Sequence, residues 1–446
     1  MKVLEALFSP GKIALVGAAH TEEKLGGVIL KNLLRYGPEN IYPVNPKYKE
    51  LMGVRCYPTP GDIPVPTDLV IIIRPADEVP KILREFAGKA KCAVIASAGF
   101  SEAGRVPLQE ETGRTGREAG IRLLGPNCMG VYAPQKKLDT FFLPPERLAR
   151  PRAGNLGVTT QSGAVLAAIF ETLAESNTGI SKAAHYGNAV DIDESDLYEY
   201  FARDGQTEVV ISYIESVRDG RRFIEKARAL AQEKPLIILK AGKGASGARA
   251  AYSHTGRLAG SYEVFSSILK QFGLKEAGDF EELMDLAKAH SYQVPKPGRG
   301  KSVLILTNGG GAGVLAADEC LLQGLQVKPL PAEKMESLKA LFPPFYGVGN
   351  PFDFTAQATD ADYAAAFNEL KDDYDGFLII ALSAVIGITE GIGKMLGSFR
   401  EAGKPLLLLT GRDRLGKRIA RIVESAGIPA YPTAERAVRA LAALLK

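Results

Sequence analysis

The sequence predicts an α/β protein made of three consecutive, open, mostly parallel sheets. Short aliphatic runs alternate with helix-like segments along all 446 residues, the pattern of parallel strands covered by helices. Nearly every run closes in Gly, Pro, Asn or Ser, at the carboxyl ends where such sheets bind ligands. Two proline-rich stretches, 133–154 (APQKKLDTFFLPPERLARPRAG) and 294–301 (VPKPGRGK), break the rhythm and read as connections. They leave units over 1–145, 150–295 and 300–446.

The first unit's runs are KIALVGA (12–18), IYPVNP (41–46), DLVIIIRP (68–75), CAVIASAG (92–99) and IRLLGPN (121–127). The second has GNLGVTTQSG (154–163), ISKAAHYGN (180–188), TEVVISYIES (207–216) and PLIILKAG (235–242). The third has KSVLILTNGGG (301–311), LQVKPL (325–330), DGFLIIALS (375–383) and PLLLLTG (405–411). No sequence repeat of fixed period joins them.

A hydrophobic content of 46% and a charged content of 24% are those of a soluble globular protein. A formal charge of +4 supports neither a nucleic-acid stripe nor a membrane-binding face. Cys56, Cys92, Cys128 and Cys320 stand far apart without a CxxC pair, which argues against a zinc ribbon or disulfide framework. That usage fits a reducing cytoplasm. The short apolar start, interrupted by Pro10, is not expected to be a signal peptide, and no apolar run is long enough to span a membrane.

The most informative segment is Gly242 to Ser261, in which 13 of 20 residues are Gly, Ala or Ser and His254 sits near the centre. Loops this long in α/β units are functional or disordered, and small residues let backbone N–H groups approach an anion. His254 is read as a phosphoryl acceptor, a base, or a passenger on a loop. Glu215, at the end of VVISYIE, is placed to fix an imidazole tautomer and leave the other ring nitrogen to attack; the alternative is a surface or capping glutamate.

Two Gly-led helix starts suit an anion: Ser162-Gly163 after Thr160-Gln161, and Asn308-Gly309-Gly310 before VLAADECLLQG. Ser162 also reads as a plain N-cap. In the first unit the turn Gly17-Ala18-Ala19-His20 lacks the full G-x-G-x-x-G fingerprint, and Pro46-Lys47 offers a cation where a nicotinamide dinucleotide needs a carboxylate. That suits a phosphate-bearing nucleotide such as coenzyme A, unless Lys47 is an ordinary solvated lysine. Ser97-Ala98-Gly99 and Gly125-Pro126-Asn127-Cys128 close two further strands. Cys128 reads as an inert buried thiol, His185 as a crevice wall, and no histidine has metal-ligand spacing, so no metal is expected on this chain.

Taken in order, GPNCMG, TQSGAV, YGNAVDIDESD, KAGKGASGARAAYSHTGRLAGS, ILTNGGGAGVLAAD and NPFDF resemble the alpha subunit of ADP-forming acetyl-CoA synthetases, within the succinyl-CoA synthetase-like superfamily. The resemblance runs over essentially the whole chain. It implies a Rossmann-like coenzyme A-binding domain followed by two flavodoxin-like domains. It implies His254 as the transiently phosphorylated residue and Glu215 as its carboxylate partner. Gly17 to His20, Pro46, Lys47, Ser97 to Gly99 and Asn127 would hold coenzyme A, and Ser162, Gly163, Asn308, Gly309 and Gly310 would hold phosphate. His20 and the Glu22-Glu23 pair depart from the small or polar residues the family often carries there.

The implied chemistry converts acyl-CoA, phosphate and ADP reversibly to acid, coenzyme A and ATP. Because no GxxxxGK[ST] loop occurs, the resemblance places ADP/ATP with Mg2+ on an ATP-grasp beta subunit, in an α2β2 heterotetramer. Two other classes stay open: a non-catalytic coenzyme A sensor with a structural His254, and an NAD(P)-dependent dehydrogenase, which the missing fingerprint and carboxylate disfavour.

Overall fold

The computed structural model describes residues 2–244, 246–247, 261–293 and 300–445. His254, most of its loop and residues 294–299 of the second predicted connection lie outside them. The chain divides into two compact units, Met1–Met284 and Asp285–Lys446. The fold class is the one expected: α/β, with three mostly parallel sheets.

The first unit holds two of them. The first comprises β1 (Ile13–Val16), β2 (Ile41–Val44), β3 (Thr67–Ile72), β4 (Ala90–Ile95) and β5 (Arg122–Leu124), in the order β2-β1-β3-β4-β5 with every pair parallel. Its inner strands are covered on both faces, so their residues read as continuous aliphatic runs; all four residues of β1 are buried.

The second sheet has seven strands: β6 (Gly130–Ala133), β7 (Leu138–Asp139), β8 (Ala153–Thr160), β9 (Ile180–His185), β10 (Val209–Ile214), β11 (Leu236–Lys240) and β12 (Lys275–Glu276). They run β12-β11-β10-β8-β9-β6-β7, parallel except for β6 and β7. The stretch 133–154, expected to be only a connection, therefore supplies β7 and the end of β6 to this sheet. The cause is local: the Thr140 hydroxyl accepts the Val131 N–H at 2.8 Å and folds the segment back on itself. Gly130 has φ +95°, and a Cβ there would stand 2.1 Å from that hydroxyl oxygen. A single apolar core runs under both sheets, from Phe8 and Leu15 through Val131 and Leu138 to Phe201 and Ile238.

In the second unit β13 (Val303–Thr307), β14 (Phe352–Asp353), β15 (Gly376–Ala381), β16 (Leu406–Thr410) and β17 (Ala430–Tyr431) run β14-β13-β15-β16-β17, all parallel. LQVKPL, expected to be a strand, is not one. It makes a single bridge, Gln326 with Ser302, because Pro329 and Pro331 withhold ladder donors. The Asn350 side chain stands in for the missing ladder, donating to Val303 O and Lys328 O at 2.8 Å and accepting from Ile305 N at 3.0 Å; the second distance to Lys328 is the same. The neighbouring slot goes to β14, from the NPFDF motif.

In each sheet the first long strand (β1, β8, β13) has partners on both sides reached by opposite crossovers. The crevice of an open α/β sheet lies at the carboxyl end of such a strand.

Candidate functional site

At the end of β1 the chain turns at Gly17, whose φ is +96° and whose Cβ, if present, would lie 2.2 Å from Ile73 O. Helix α1 (Leu25–Leu33) seats directly on this turn: a Cβ on Gly26 would be 2.0 Å from Gly17 O. Ala18 and Ala19 are buried, and His20 is exposed beside Tyr48, with ring centroids 6.4 Å apart. Glu22 of the unusual acidic pair is bound by Lys31 at 2.8 Å. The Asn45 amide ties the end of β2 to this turn, donating to Ala18 O at 2.7 Å and accepting from Lys47 N at 2.9 Å. Pro46 and Lys47 are thereby presented to solvent on the same rim.

Ser97 is buried. Its hydroxyl accepts from Arg74 N at 3.0 Å, and its carbonyl accepts from Asn127 N at 2.9 Å. The ends of β3, β4 and β5 are thus laced together, with Ala98 exposed and Gly99, at φ +103°, beside it. The fold gathers every coenzyme A residue expected from sequence along one edge of the first sheet. Cys128 is buried with its thiol pushed up to about 12 by that burial, as an inert thiol should be.

The second sheet meets this edge through Asn188 and Glu102. Asn188 Nδ2 donates to Glu102 Oε2 at 2.6 Å, and Glu102 Oε1 accepts from Gly99 N at 2.6 Å. Burial raises the Glu102 pKa, but these donors outweigh it and hold the carboxyl below its ordinary value.

Helix α2 (Gly163–Glu175) starts at the end of β8. Thr160 Oγ1 accepts from Ser162 N and donates to Ser162 O, both at 3.0 Å, and the Ser162 hydroxyl accepts from Val165 N at 3.4 Å. The N–H groups of Gly163 and Ala164 precede the first intrahelical bond, where a helix offers donors and partial positive charge. A cavity of about 310 Å³ opens against this start, reaching from Asn127 and Met129 to Gln161, His185 and Asn188.

Gln161 was not singled out from sequence, yet it joins the parts. Its Oε1 accepts from Glu215 N at 2.5 Å and Ser216 N at 2.9 Å, while its carbonyl meets His185 Nε2 at 3.0 Å. Buried Lys240 donates to Glu215 O at 2.8 Å, and burial lowers its pKa. Burial, then the adjacent Glu215, pushes the Tyr213 hydroxyl up to about 12. The Glu215 backbone is thus pinned beside the α2 start.

The second unit builds the same turn at the end of β13, before α3 (Gly310–Leu322). Thr307 Oγ1 accepts from Gly309 N and donates to Gly309 O, both at 3.0 Å. Asn308 stands where Gln161 does, its Oδ1 accepting from Leu382 N at 2.8 Å and its Nδ2 donating to Leu382 O at 3.1 Å. Its side chain holds the turn together and Gly309 N is bonded to Thr307, so the N–H groups that precede the first intrahelical bond begin at Gly310. The signal was present in the sequence as a recurrence: Thr, a side-chain amide, a small residue, then Gly, at 160–163 and 307–310. Among the described residues no cluster of His, Cys, Asp or Glu stands at metal-holding geometry.

Comparison with known proteins agrees with this layout. Residues 11–134 match the CoA binding domain, 153–290 the succinyl-CoA ligase like flavodoxin domain, and 303–444 the ligase-CoA domain. Together these define an acid–thiol ligase of succinyl-CoA-ligase-like build. The chain is 36% identical to the acetate–CoA ligase [ADP-forming] II subunit alpha of Pyrococcus furiosus, over 100% of this chain and 98% of that protein. It therefore belongs to the family of alpha subunits of ADP-forming acetate–CoA ligases. It is also 36% identical to acetate–CoA ligase [ADP-forming] I of Archaeoglobus fulgidus, but spans only 63% of that protein's length. The dinucleotide forming acetyl-coenzyme A synthetase 1 of Ca. Korarchaeum cryptofilum, solved with phosphate and ADP, matches with a TM-score of 0.91 and 36% identity, over 100% of this chain and 96% of that one.

Proposed function

We propose that this chain is the alpha subunit of an ADP-forming acyl-CoA synthetase that interconverts acyl-CoA, phosphate and ADP with acid, coenzyme A and ATP. The observation that carries the reading is the α2 start. Its free N–H groups, the cavity and the pinned Glu215 backbone adjoin the edge that gathers the expected coenzyme A residues. Phosphate held at Gly163 and Ala164 attacks the thioester carbonyl; the C–S bond breaks, coenzyme A leaves as the thiol, and an acyl phosphate remains. A ring nitrogen of His254 then attacks phosphorus, the P–O bond to the acyl group breaks, and the carboxylate departs. ADP attacks the phosphohistidine, the P–N bond breaks, and ATP forms. Positioned N–H dipoles stabilise the charge that each step moves. Glu215 accepts the proton of the other ring nitrogen and fixes the tautomer; Gly309 and Gly310 begin a second phosphate-facing helix.

The nucleotide and its Mg2+ belong to an ATP-grasp beta subunit, in an α2β2 assembly. In support, the sequence has no GxxxxGK[ST] loop, and two of its full-length relatives are named as alpha subunits. The reading divides the chain into a coenzyme A domain (1–145), a phosphohistidine domain (150–295) and a third domain (300–446). The cytoplasm is the proposed location: the four cysteines are free and buried, and no described helix is long and apolar enough to cross a membrane. Incubation with acyl-CoA and labelled phosphate should leave acid-labile, base-stable label on His254, and His254→Ala should abolish both label and ATP formation. Full ATP formation by that variant would refute the proposal.

A further inference from the structure

The Asn188 side chain has its orientation fixed by its neighbours. Its Nδ2 donates to Glu102 Oε2 at 2.6 Å, Gln109 Oε1 at 2.9 Å and Ser101 Oγ at 3.2 Å. Gln109 Oε1 also accepts from Ser101 Oγ at 2.8 Å. The Ser101 proton is thereby engaged, and the serine meets Asn188 with a lone pair. Flipping the Asn188 amide would set its oxygen against a carboxylate and two further acceptors, so Oδ1 must face the other way.

The backbone is held as well. Asn188 N donates to Pro126 O at 3.0 Å and Val190 N to Gly125 O at 2.9 Å. At Gly187 φ is +50° and a Cβ would stand 2.2 Å from Asn127 O, so the two turns press together. Asn188 is 7% exposed, and its Oδ1 lies on the side of Asn127 Nδ2, at a long 3.4 Å. Both residues line the cavity that reaches Gly163 at the α2 start. An acceptor is therefore fixed in the wall between the coenzyme A edge and the phosphate-facing helix before any ligand arrives.

Such an acceptor repels phosphate oxygens and a thioester carbonyl oxygen alike; its complement is an N–H. Coenzyme A carries one close to its reacting end, in the pantetheine amide that an ethylene unit separates from the sulfur. Resting on the ligase reading above, we propose that Asn188 Oδ1 accepts this N–H and so sets where the thioester sulfur stops relative to the α2 start. Glu102, Gln109 and Ser101 are positioning residues that hold the Asn188 amide the right way round. Glu102 also accepts from Gly99 N at 2.6 Å, so one carboxylate ties the edge expected to hold coenzyme A to the acceptor that takes its arm.

The test is calorimetry on the full chain, with coenzyme A and with an analogue whose N–H nearest the sulfur is replaced by methylene. A buried acceptor left without its donor lowers affinity by about 5- to 150-fold, so the wild type should favour coenzyme A by that ratio. Asn188→Ala removes the acceptor and should bring the ratio close to unity. Lost packing alone would weaken both ligands alike and leave the ratio unchanged. Glu102→Gln lets an amide nitrogen face Asn188, loosens the orientation and should give an intermediate ratio; it keeps the proposal testable where Asn188→Ala does not fold. A wild-type ratio near unity, or one that Asn188→Ala leaves in place, would overturn the assignment to Asn188 while leaving the ligase reading intact. If coenzyme A itself did not bind and His254 took no label from acyl-CoA and phosphate, the ligase reading would fall, and this inference with it.

Discussion

Gln161 offers the sharpest test of how the site is held. Substituting Met keeps nearly the same shape and removes the acceptor that satisfies Glu215 N at 2.5 Å and Ser216 N at 2.9 Å. Both residues are buried, so water cannot replace the lost partner without opening the segment. Leaving a buried donor unsatisfied costs about 1–3 kcal/mol, so two cost about 2–6 kcal/mol. With tenfold for each 1.4 kcal/mol, amide exchange at Glu215 and Ser216 should quicken by roughly 30-fold to 10⁴-fold, whereas Ile211, deeper in β10, should change far less. Phosphoryl transfer to His254 should slow by about a hundredfold, since displacement of a positioning group by about 1 Å has that effect. Gln161→Glu retains an acceptor and should keep most of the protection. Unchanged exchange at both amides in Gln161→Met, or an equal rise at Ile211, would refute the idea that this amide locally pins Glu215.

Two further outcomes follow. Lys47→Ala should weaken coenzyme A binding severalfold and flatten its salt dependence in calorimetry, because an exposed phosphate contact is screened within about 8–10 Å at ordinary salt; an unchanged salt response would remove Lys47 from the site. Glu102 has a folded pKa below its unfolded value of about 4.3, so its contribution is full above that pH and is lost as pH falls through the folded value. Its partial exposure limits the contribution to about 1 kcal/mol. The Tm gap between wild type and Glu102→Gln should be open at pH 7 and narrow as pH falls below about 4.3; a pH-independent gap would contradict this.

Much of this molecule was legible before any coordinates, and the rest was hidden for identifiable reasons. Fully covered parallel strands write themselves as aliphatic runs, which is why β1, β3, β10 and β15 fell where expected. The helix starts at Gly163 and Gly310 announced themselves through glycine after a capping residue. LQVKPL misled because an apolar run was taken for ladder pairing, which its neighbouring prolines and the Asn350 side chain replace. β6 and β7 are short, and part of what joins them, the Thr140 hydroxyl and backbone N–H bonded to Val131, is a contact that no periodicity reveals. Gln161 was passed over because its task is to bind main-chain amides 54 and 55 residues away, and nothing local marks such a partner.

Strands β6 and β7 lie in sequence between the first two sheets, yet pair with the second, and one apolar core continues beneath both. In genetic terms the two sheets form a single cassette. A recombination event that removed the first half together with β6 and β7 would leave β9 with a bare edge, and one that left the two strands behind would strip first-sheet packing from Val131 and Leu138. Lineages can therefore acquire, fuse or lose the pair whole, whereas exchanging one cofactor for another inside it requires substitutions in place rather than the import of a foreign module.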